Sequence, residues 1–312
     1  MNIWILGGTG FIGRAIIGQL AADPKNLIQL LLHKRKSFRE FESFNTFTGN
    51  ILSIDRVWFE RYPPDLVFHL ARPAGSTFLT RTVASNLGHI ANSRLVSIFS
   101  SLPSPPVVIY VSGSLVYGQI SEGRAASEKS KLQPASYAQS YFANEIPWKK
   151  AREKGVLDVR FARPGWITGP GSWFKTYFWD VIQNTGRVPC YGTGQQLMSV
   201  IHLDDGAAMI NTLGMYGQPG HDLNIFSGHP ITQEEFSEAL ALQTGKKIKL
   251  IPYPEIVNMY GQTTATALTT SIPLSTLYPD LHQKTNIKHL KISDLLADVV
   301  RSLKSKEGVF TQ

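Results

Sequence analysis

The stretch "NIWILGGTGFIG", residues 2–13, constrains the fold most: a short apolar run stops at a glycine pair, and helical spacing begins directly after it. Gly7, Gly10 and Gly13 stand three apart, and Ile12, Ala15, Ile16, Gln19 and Leu20 fall near one helix face. Glycine permits a tight turn and close approach of a pyrophosphate. The helix N-terminus then offers free N–H groups and a positive dipole end to the anion. Thr9, Phe11 and Ile12 belong to the same turn. The alternative is a tight strand–helix turn with no ligand.

Further apolar runs at 27–33, 65–71, 106–113 and 156–165 alternate with helical patterns at 83–101 and 136–154. Strands alternating with helices predict a parallel sheet covered on both faces. Pro147 is expected to kink the helix at 136–154 or to limit its first half. Residues 199–214 read as a strand running into a helix, and 222–228 as a strand. At 232–245 the pattern is a helix with Thr232 as N-cap and Glu235 completing a capping box. Residues 253–286 are Thr- and Pro-rich and give no clear pattern; a last helix starts near Ser293.

With 43% hydrophobic and 17% charged residues, 312 residues can bury a sizeable core. The single cysteine, Cys190, excludes an intrachain disulfide and a cysteine-rich zinc site, and suits the cytoplasm. No His/Asp/Glu cluster has metal-ligand spacing, so no metal is expected. No apolar run spans a membrane. The net charge of +8 reads as a solvated basic surface rather than a nucleic-acid site.

Part of that charge has a specific use. A site for NAD usually carries an acidic residue at the end of the second strand, for the ribose hydroxyls. This chain has "HKRK", and Arg35, flanked by Lys34 and following His33, suits a 2′-phosphate. The expected cofactor is NADP(H), with NAD(H) the other possibility; a solvated basic loop is the alternative.

In order along the chain, "GGTGFIG", "GN" at 49–50, "DLVFHLA" at 65–71, Asn86, "VIYVSGSLVYG" at 108–118, Tyr137, "ARPGWITGPG" at 162–171 and "IHLDD" at 201–205 resemble the extended short-chain dehydrogenase/reductases, the group that includes the NAD-dependent epimerase/dehydratase proteins. The resemblance covers about residues 1–240. It implies an α/β fold: a Rossmann-type doubly wound parallel sheet over residues 1–165, to which 199–226 returns, and a smaller substrate-binding domain over 166–312. By the same resemblance Asn50 contacts adenine through its oxygen, Leu70, Ala71 and Arg72 run beside the cofactor, and Pro164 belongs to the cofactor site. Arg72 is unusual there, since a small residue is common; it either reaches an anion or is a surface residue.

The catalytic pattern departs from the family's. Four residues before Tyr117, where Ser or Thr is usual, stands Gly113; of its neighbours Ser112 and Ser114, Ser114 is the better candidate. Four residues after Tyr137, where lysine is usual, stands Tyr141. A second phenol on the same helical face can hydrogen-bond a ribose but supplies no positive charge. Tyr137 should therefore stay protonated at neutral pH. That favours carbonyl reduction over alcohol oxidation or epimerisation. Trp166 replaces the asparagine, and Met198 the arginine, common in members acting on nucleotide-sugars, and 166–179 is strongly aromatic. The resemblance thus implies an NADP(H)-dependent reductase of a small-molecule substrate other than a nucleotide-sugar, with a possible homodimer through the helices at 83–101 and 136–154. The alternative is a non-catalytic NADP(H) sensor or scaffold, in which both tyrosines only pack.

Overall fold

Strand β1 (Asn2–Leu6) is buried on both faces, and that sets the layering. Ile3 and Ile5 meet α1 (Phe11–Leu20) and α6 (Leu203–Tyr216) on one side. Trp4 and Leu6 meet α3 (Phe78–Ser100) and α4 (Gln139–Glu153) on the other. Successive strand residues face opposite ways, so four consecutive apolar residues supply two cores at once. The computed structural model describes residues 1–33, 39–73, 78–135 and 138–309.

The sheet contains β1, β2 (Leu27–Leu32), β3 (Asn45–Thr48), β4 (Leu66–His69), β5 (Val107–Val111), β6 (Asp158–Pro164) and β11 (Asp222–Ile225). Its seven parallel strands run in the order β3-β2-β1-β4-β5-β6-β11. This is the doubly wound arrangement that the alternation predicts. The chain winds outward from β1 through β2 and β3, passes through α2 (Arg56–Arg61), and returns to the other side of β1 as β4. The crevice beyond the C-terminal ends of β1 and β4 is therefore the topological switch point, where doubly wound sheets bind ligands.

A second core lies after β6. Paired strands β7 (Trp166–Thr168) with β10 (Val200–His202), β8 (Arg187–Tyr191) with β13 (Lys247–Ile251), and β9 (Leu197–Met198) with β12 (Ile231–Thr232) are joined by α5 (Asp180–Thr185) and α7 (Gln233–Thr244). Phe174, Phe178, Trp179, Tyr191 and Phe236 fill this core with α11 (Ile292–Val309). Thr232 caps α7 with Glu235 in the reciprocal capping box that the sequence predicts. The unpatterned stretch 253–286 forms three short helices, α8 (Tyr253–Tyr260), α9 (Gln262–Thr269) and α10 (Pro279–Lys284).

Of the two outcomes expected at Pro147, a kink or an early end to the helix, the early end does not occur. Pro147 sits inside α4, yet the helix runs on to Glu153. Proline removes the N–H that would bond the Ala143 carbonyl. That carbonyl is met instead by His89 Nδ1 of α3 at 3.1 Å, and the next one, Asn144 O, accepts from Asn92 Nδ2 at 2.9 Å. Gly88 lets the helices come this close, since a Cβ there would stand 2.1 Å from Asn144 Oδ1. The neighbouring helix thus repairs the break. His89→Ala should lower stability by about 1 kcal/mol in urea unfolding. In a Pro147→Ala background, whose new N–H takes Ala143 O, the same change should cost less than about half as much; equal costs in the two backgrounds would refute the repair.

Candidate functional site

The β1–α1 turn builds the floor of the crevice. Gly7 has φ +94°, and a Cβ on it would stand 2.7 Å from Ala71 N, so both conformation and contact demand glycine. At Gly13 a Cβ would meet Gly7 O at 2.5 Å, which makes this glycine a packing requirement between helix and turn. Gly10 differs: its φ is −72°, and a Cβ would approach only Gly7 O, at 3.4 Å. Helix α1 has no side-chain cap and no acidic residue in its first turn, so its leading N–H groups keep their full positive field. Arg14 donates from Nε to Thr9 O at 3.0 Å and steadies the turn.

A cavity of about 640 Å³ opens over this turn, lined by Gly7, Thr9, Gly10, His33, Asn50 and the run Leu70–Pro73, among others. Asn50 departs from its expected role. Its Oδ1 accepts from Leu52 N at 2.8 Å and Ser53 N at 3.2 Å, so the oxygen meant for a ligand amino group is spent on its own loop. Lys34 and Arg35, expected at the same cavity, lie outside the described residues.

A second cavity of about 290 Å³ adjoins it. Its lining includes Phe11, Ile12, Ser114, Tyr141, Pro164 and Trp173. Arg72 lines both cavities, its guanidinium carbon 4.2 Å from the centre of the Tyr141 ring. Tyr137 lies outside the described residues. A third cavity, of about 760 Å³, sits between Gln119–Glu122 and Pro252–Tyr253 and shares no lining residue with these two.

The two serines are separated by their partners. Ser112 Oγ donates to Glu145, whose carboxylate also takes Arg163 Nη1 at 3.0 and 3.1 Å. Its proton is therefore committed. Ser114 makes no hydrogen bond through its hydroxyl among the described residues; both serines line the smaller cavity, and of the two it is Ser114 whose proton is uncommitted. It begins the turn Ser114–Tyr117, whose far end is pinned: Tyr117 OH donates to Asn224 Oδ1 at 2.7 Å, and Asn224 N donates to the buried Glu128 at 3.0 Å. Burial pushes the Tyr117 phenol well above its ordinary value, so it is structural and neutral.

Beneath β4 a neutral relay ties the walls together. Burial lowers His69 to about 4. Its Nε2–H donates to Asn92 Oδ1 at 2.8 Å, and Asn92 passes the connection to α4. His202, noted in "IHLDD", lines neither cavity; it caps α6, its Nδ1 accepting from Asp204 N at 3.2 Å. A group of His202, His289 and Asp298 is close enough to suggest a cation. The cap requires a lone pair on His202 Nδ1, however, so in the neutral ring Nε2 carries the proton and cannot ligate a metal.

The arrangement is therefore a glycine-floored crevice with an unopposed helix N-terminus, ending in a small pocket lined by the hydroxyl-bearing Ser112, Ser114 and Tyr141 and by one guanidinium, Arg72. The model of the NAD dependent epimerase/dehydratase family matches residues 3–225. The chain belongs to that family. Within it, the chain is similar to the epimerase family protein YfhF of Bacillus subtilis (strain 168), 24% identical over 269 residues, 82% of this chain and 83% of the relative. It also resembles a probable dTDP-glucose 4,6-dehydratase of Sinorhizobium fredii, 25% identical over 72% of this chain and 71% of that one. Among solved structures, dTDP-glucose 4,6-dehydratase of Bacillus anthracis in complex with NAD superposes with a TM-score of 0.80 at 18% identity, covering 99% of this chain and 98% of that one. Human epimerase family protein SDR39U1 (isoform 2) with NADPH gives 0.75 at 16%, covering 96% and 99%. At such identities the structures bear on the fold, not on the chemistry.

Within this family member, sequence reasoning missed the Glu145–Arg163 pair. Glu145 is 0% and Arg163 1% exposed, joining α4 to β6 directly below Ser112. The available signal was an arginine inside the apolar strand "VRFARP" and a glutamate amid the apolar helix "ANEIPW". Glu145→Gln leaves Arg163 without its full counter-charge. It should cost about 3–5 kcal/mol in chemical unfolding. A cost within the error of the measurement would show that the pair does not hold α4 to the sheet.

Proposed function

We propose that the protein is an NADP(H)-dependent oxidoreductase of the extended short-chain type that reduces a carbonyl substrate other than a nucleotide-sugar. The observation that carries this reading is Gly10. Nothing in the protein's own packing or conformation requires glycine there, and it lines the cavity before an uncapped helix. A ligand phosphate against those N–H groups is what the position fits. Gly7, Thr9, Gly10, Phe11 and Ile12 would hold the pyrophosphate end, and Leu70 and Ala71 would flank the dinucleotide. A reduced nicotinamide supplies a hydride to a carbonyl carbon, and the carbonyl oxygen takes up a proton.

The chain's own residues serve that chemistry as follows. Ser114 offers a hydroxyl to the substrate oxygen from a turn fixed by Tyr117 and Asn224. Tyr137 is assigned the proton donor on the sequence pattern. Trp166 and Trp173, with ring centres 4.5 Å apart and edge to face, line the pocket and favour an apolar or ring-bearing substrate. Their neighbours Phe174, Phe178 and Trp179 are core instead. Met198 is buried in β9, so that position presents no charge for a diphosphate. The part of the chain from Trp166 onward is proposed as the substrate-binding portion.

The preference for NADP(H) rests on Lys34 and Arg35. NADPH fluorescence titration should show binding. Arg35→Asp should weaken NADPH more than NADH by about tenfold or more, and equal losses would remove the preference. With a panel of aldehydes and ketones, the wild type should consume NADPH and Tyr137→Phe should be slower by about a hundredfold or more. Binding without consumption would favour the sensor reading.

A homodimer is proposed through α3, where Val83 (58% exposed), Leu87 (38%) and Ile90 (58%) form one apolar stripe. Light scattering at micromolar concentration should report twice the chain mass of 34.6 kDa, and a monomer would exclude it.

A further inference from the structure

The pocket that would hold the reacting carbonyl has walls of Phe11, Ile12, Leu115, Val116, Ile167 and the two indoles, and Arg72 is the only charged side chain among the residues lining it. Its position is built. Arg72 follows β4, Tyr141 lies in the first turn of α4, and the guanidinium lies over the ring at 4.2 Å. A planar cation on an aromatic face is held in orientation while its N–H edge stays free for an anion. No ion pair to Arg72 is found among the described residues. The nearby carboxylate, Glu145, is spent on Arg163 and Ser112 below the floor. The buried pair is internally neutral, so Arg72 carries the uncompensated charge of the pocket.

We propose that Arg72, oriented by Tyr141, is the anion-stabilising catalytic residue of this pocket. It delivers from the β4 loop the positive charge that Tyr141 cannot carry on α4, and it stabilises negative charge on the substrate's carbonyl oxygen. This rests on the reductase reading above. As the carbonyl π-electrons move onto oxygen, a fixed guanidinium lowers the energy of that charge, and it acts more strongly once substrate displaces water from the site. Tyr141 is a positioning residue in this account. Its hydroxyl is not required to ionise, and its ring is the platform.

The test uses the full chain and two independent readouts. The first needs neither cofactor nor turnover: benzoate and its neutral counterpart benzamide are titrated against tryptophan fluorescence, which Trp166 and Trp173 report from the pocket wall. The wild type should bind benzoate at least about tenfold more tightly than benzamide. Arg72→Met should abolish the difference, and Arg72→Lys should restore part of it. Tyr141→Leu should weaken benzoate without affecting benzamide. The second readout is NADPH consumption with benzaldehyde and phenanthrenequinone. Arg72→Met should lower kcat about a hundredfold while the Kd for NADPH stays within about threefold.

If the wild type does not distinguish benzoate from benzamide, or Arg72→Met leaves the distinction intact, the proposal is overturned whatever the turnover. If Arg72→Met raises the Kd for NADPH and leaves kcat unchanged, the residue is a cofactor-phosphate contact and the proposal is likewise overturned. If benzoate recognition depends on Arg72 but no acceptor is ever reduced, the reductase reading falls while the anion site stands. Arg72 is exposed, so its variants should fold; matching thermal unfolding curves for Arg72→Lys and Arg72→Met exclude misfolding as the cause.

Discussion

Two full charges buried below the pocket fix its geometry. Glu145 and Arg163 are withdrawn from water, and a pair in that position gains little net stability over well-packed apolar residues. What it provides is position. The carboxylate on α4 accepts from Arg163 of β6 and from Ser112 at the end of β5, so three elements converge on one group. Arg163 also leans toward Asp222 of β11 at 3.7 Å, and Asp222 in turn takes Arg152 of α4 at 2.5 Å. The edge of the sheet beside the pocket is thereby laced to the helix that carries Tyr141. Low dielectric strengthens each of these bonds and makes any unpaired member costly, so the network tolerates little displacement.

That rigidity sets the two serines apart. On an extended strand, Ser112 and Ser114 would face opposite ways around Gly113, and alternation alone leaves the choice open. The strand ends at Val111, and a tight turn begins at Ser114. Both serines line the pocket, but the Ser112 hydroxyl is committed to Glu145, while Ser114 stands on a turn whose last residue is bonded to Asn224. The polar partners that set them apart come from residues about 30 and about 110 positions away. No local pattern carries such information.

The same contrast divides what could be read from the chain. Six strands of the central sheet were legible because they repeat one signal, a short apolar run between turn residues, and because the glycine turn has few other uses in that context. The edge strand β3, "NTFT", is polar and mostly exposed and carries no such run. The capping box of α7 was legible because its two residues contact each other locally. Three further things were not. Helices α8 to α10 are only six or eight residues long, so they form against a core that is already there: α8 and α9 against the second core, and α10, through Leu281, against the first. Asn50 was assigned by its position, but an asparagine oxygen will accept from its own following N–H groups whenever the loop allows. Pro147 was read as kinking α4 or limiting its first half; His89 and Asn92 on another helix take up the carbonyls before it, and the helix runs on to Glu153.

Tyr141 presents the same problem in its sharpest form. Read along α4, it is a lysine position that has lost its charge. Read across the crevice, it is one half of a contact whose other half, Arg72, lies outside that helix altogether. A lysine on α4 would place an ammonium on a flexible stem, whereas a guanidinium on a ring has its plane defined by the ring and its edge left open. Either of the two unusual residues, taken alone, looks like decay of a catalytic pattern. Together they are geometrically coupled, because removing the ring frees the cation and removing the cation leaves a neutral phenol facing an apolar pocket. On the proposal that Arg72 carries the charge of the pocket, the two departures from the family pattern are one arrangement, in which the cation stands on the loop after β4 and the ring that orients it on α4.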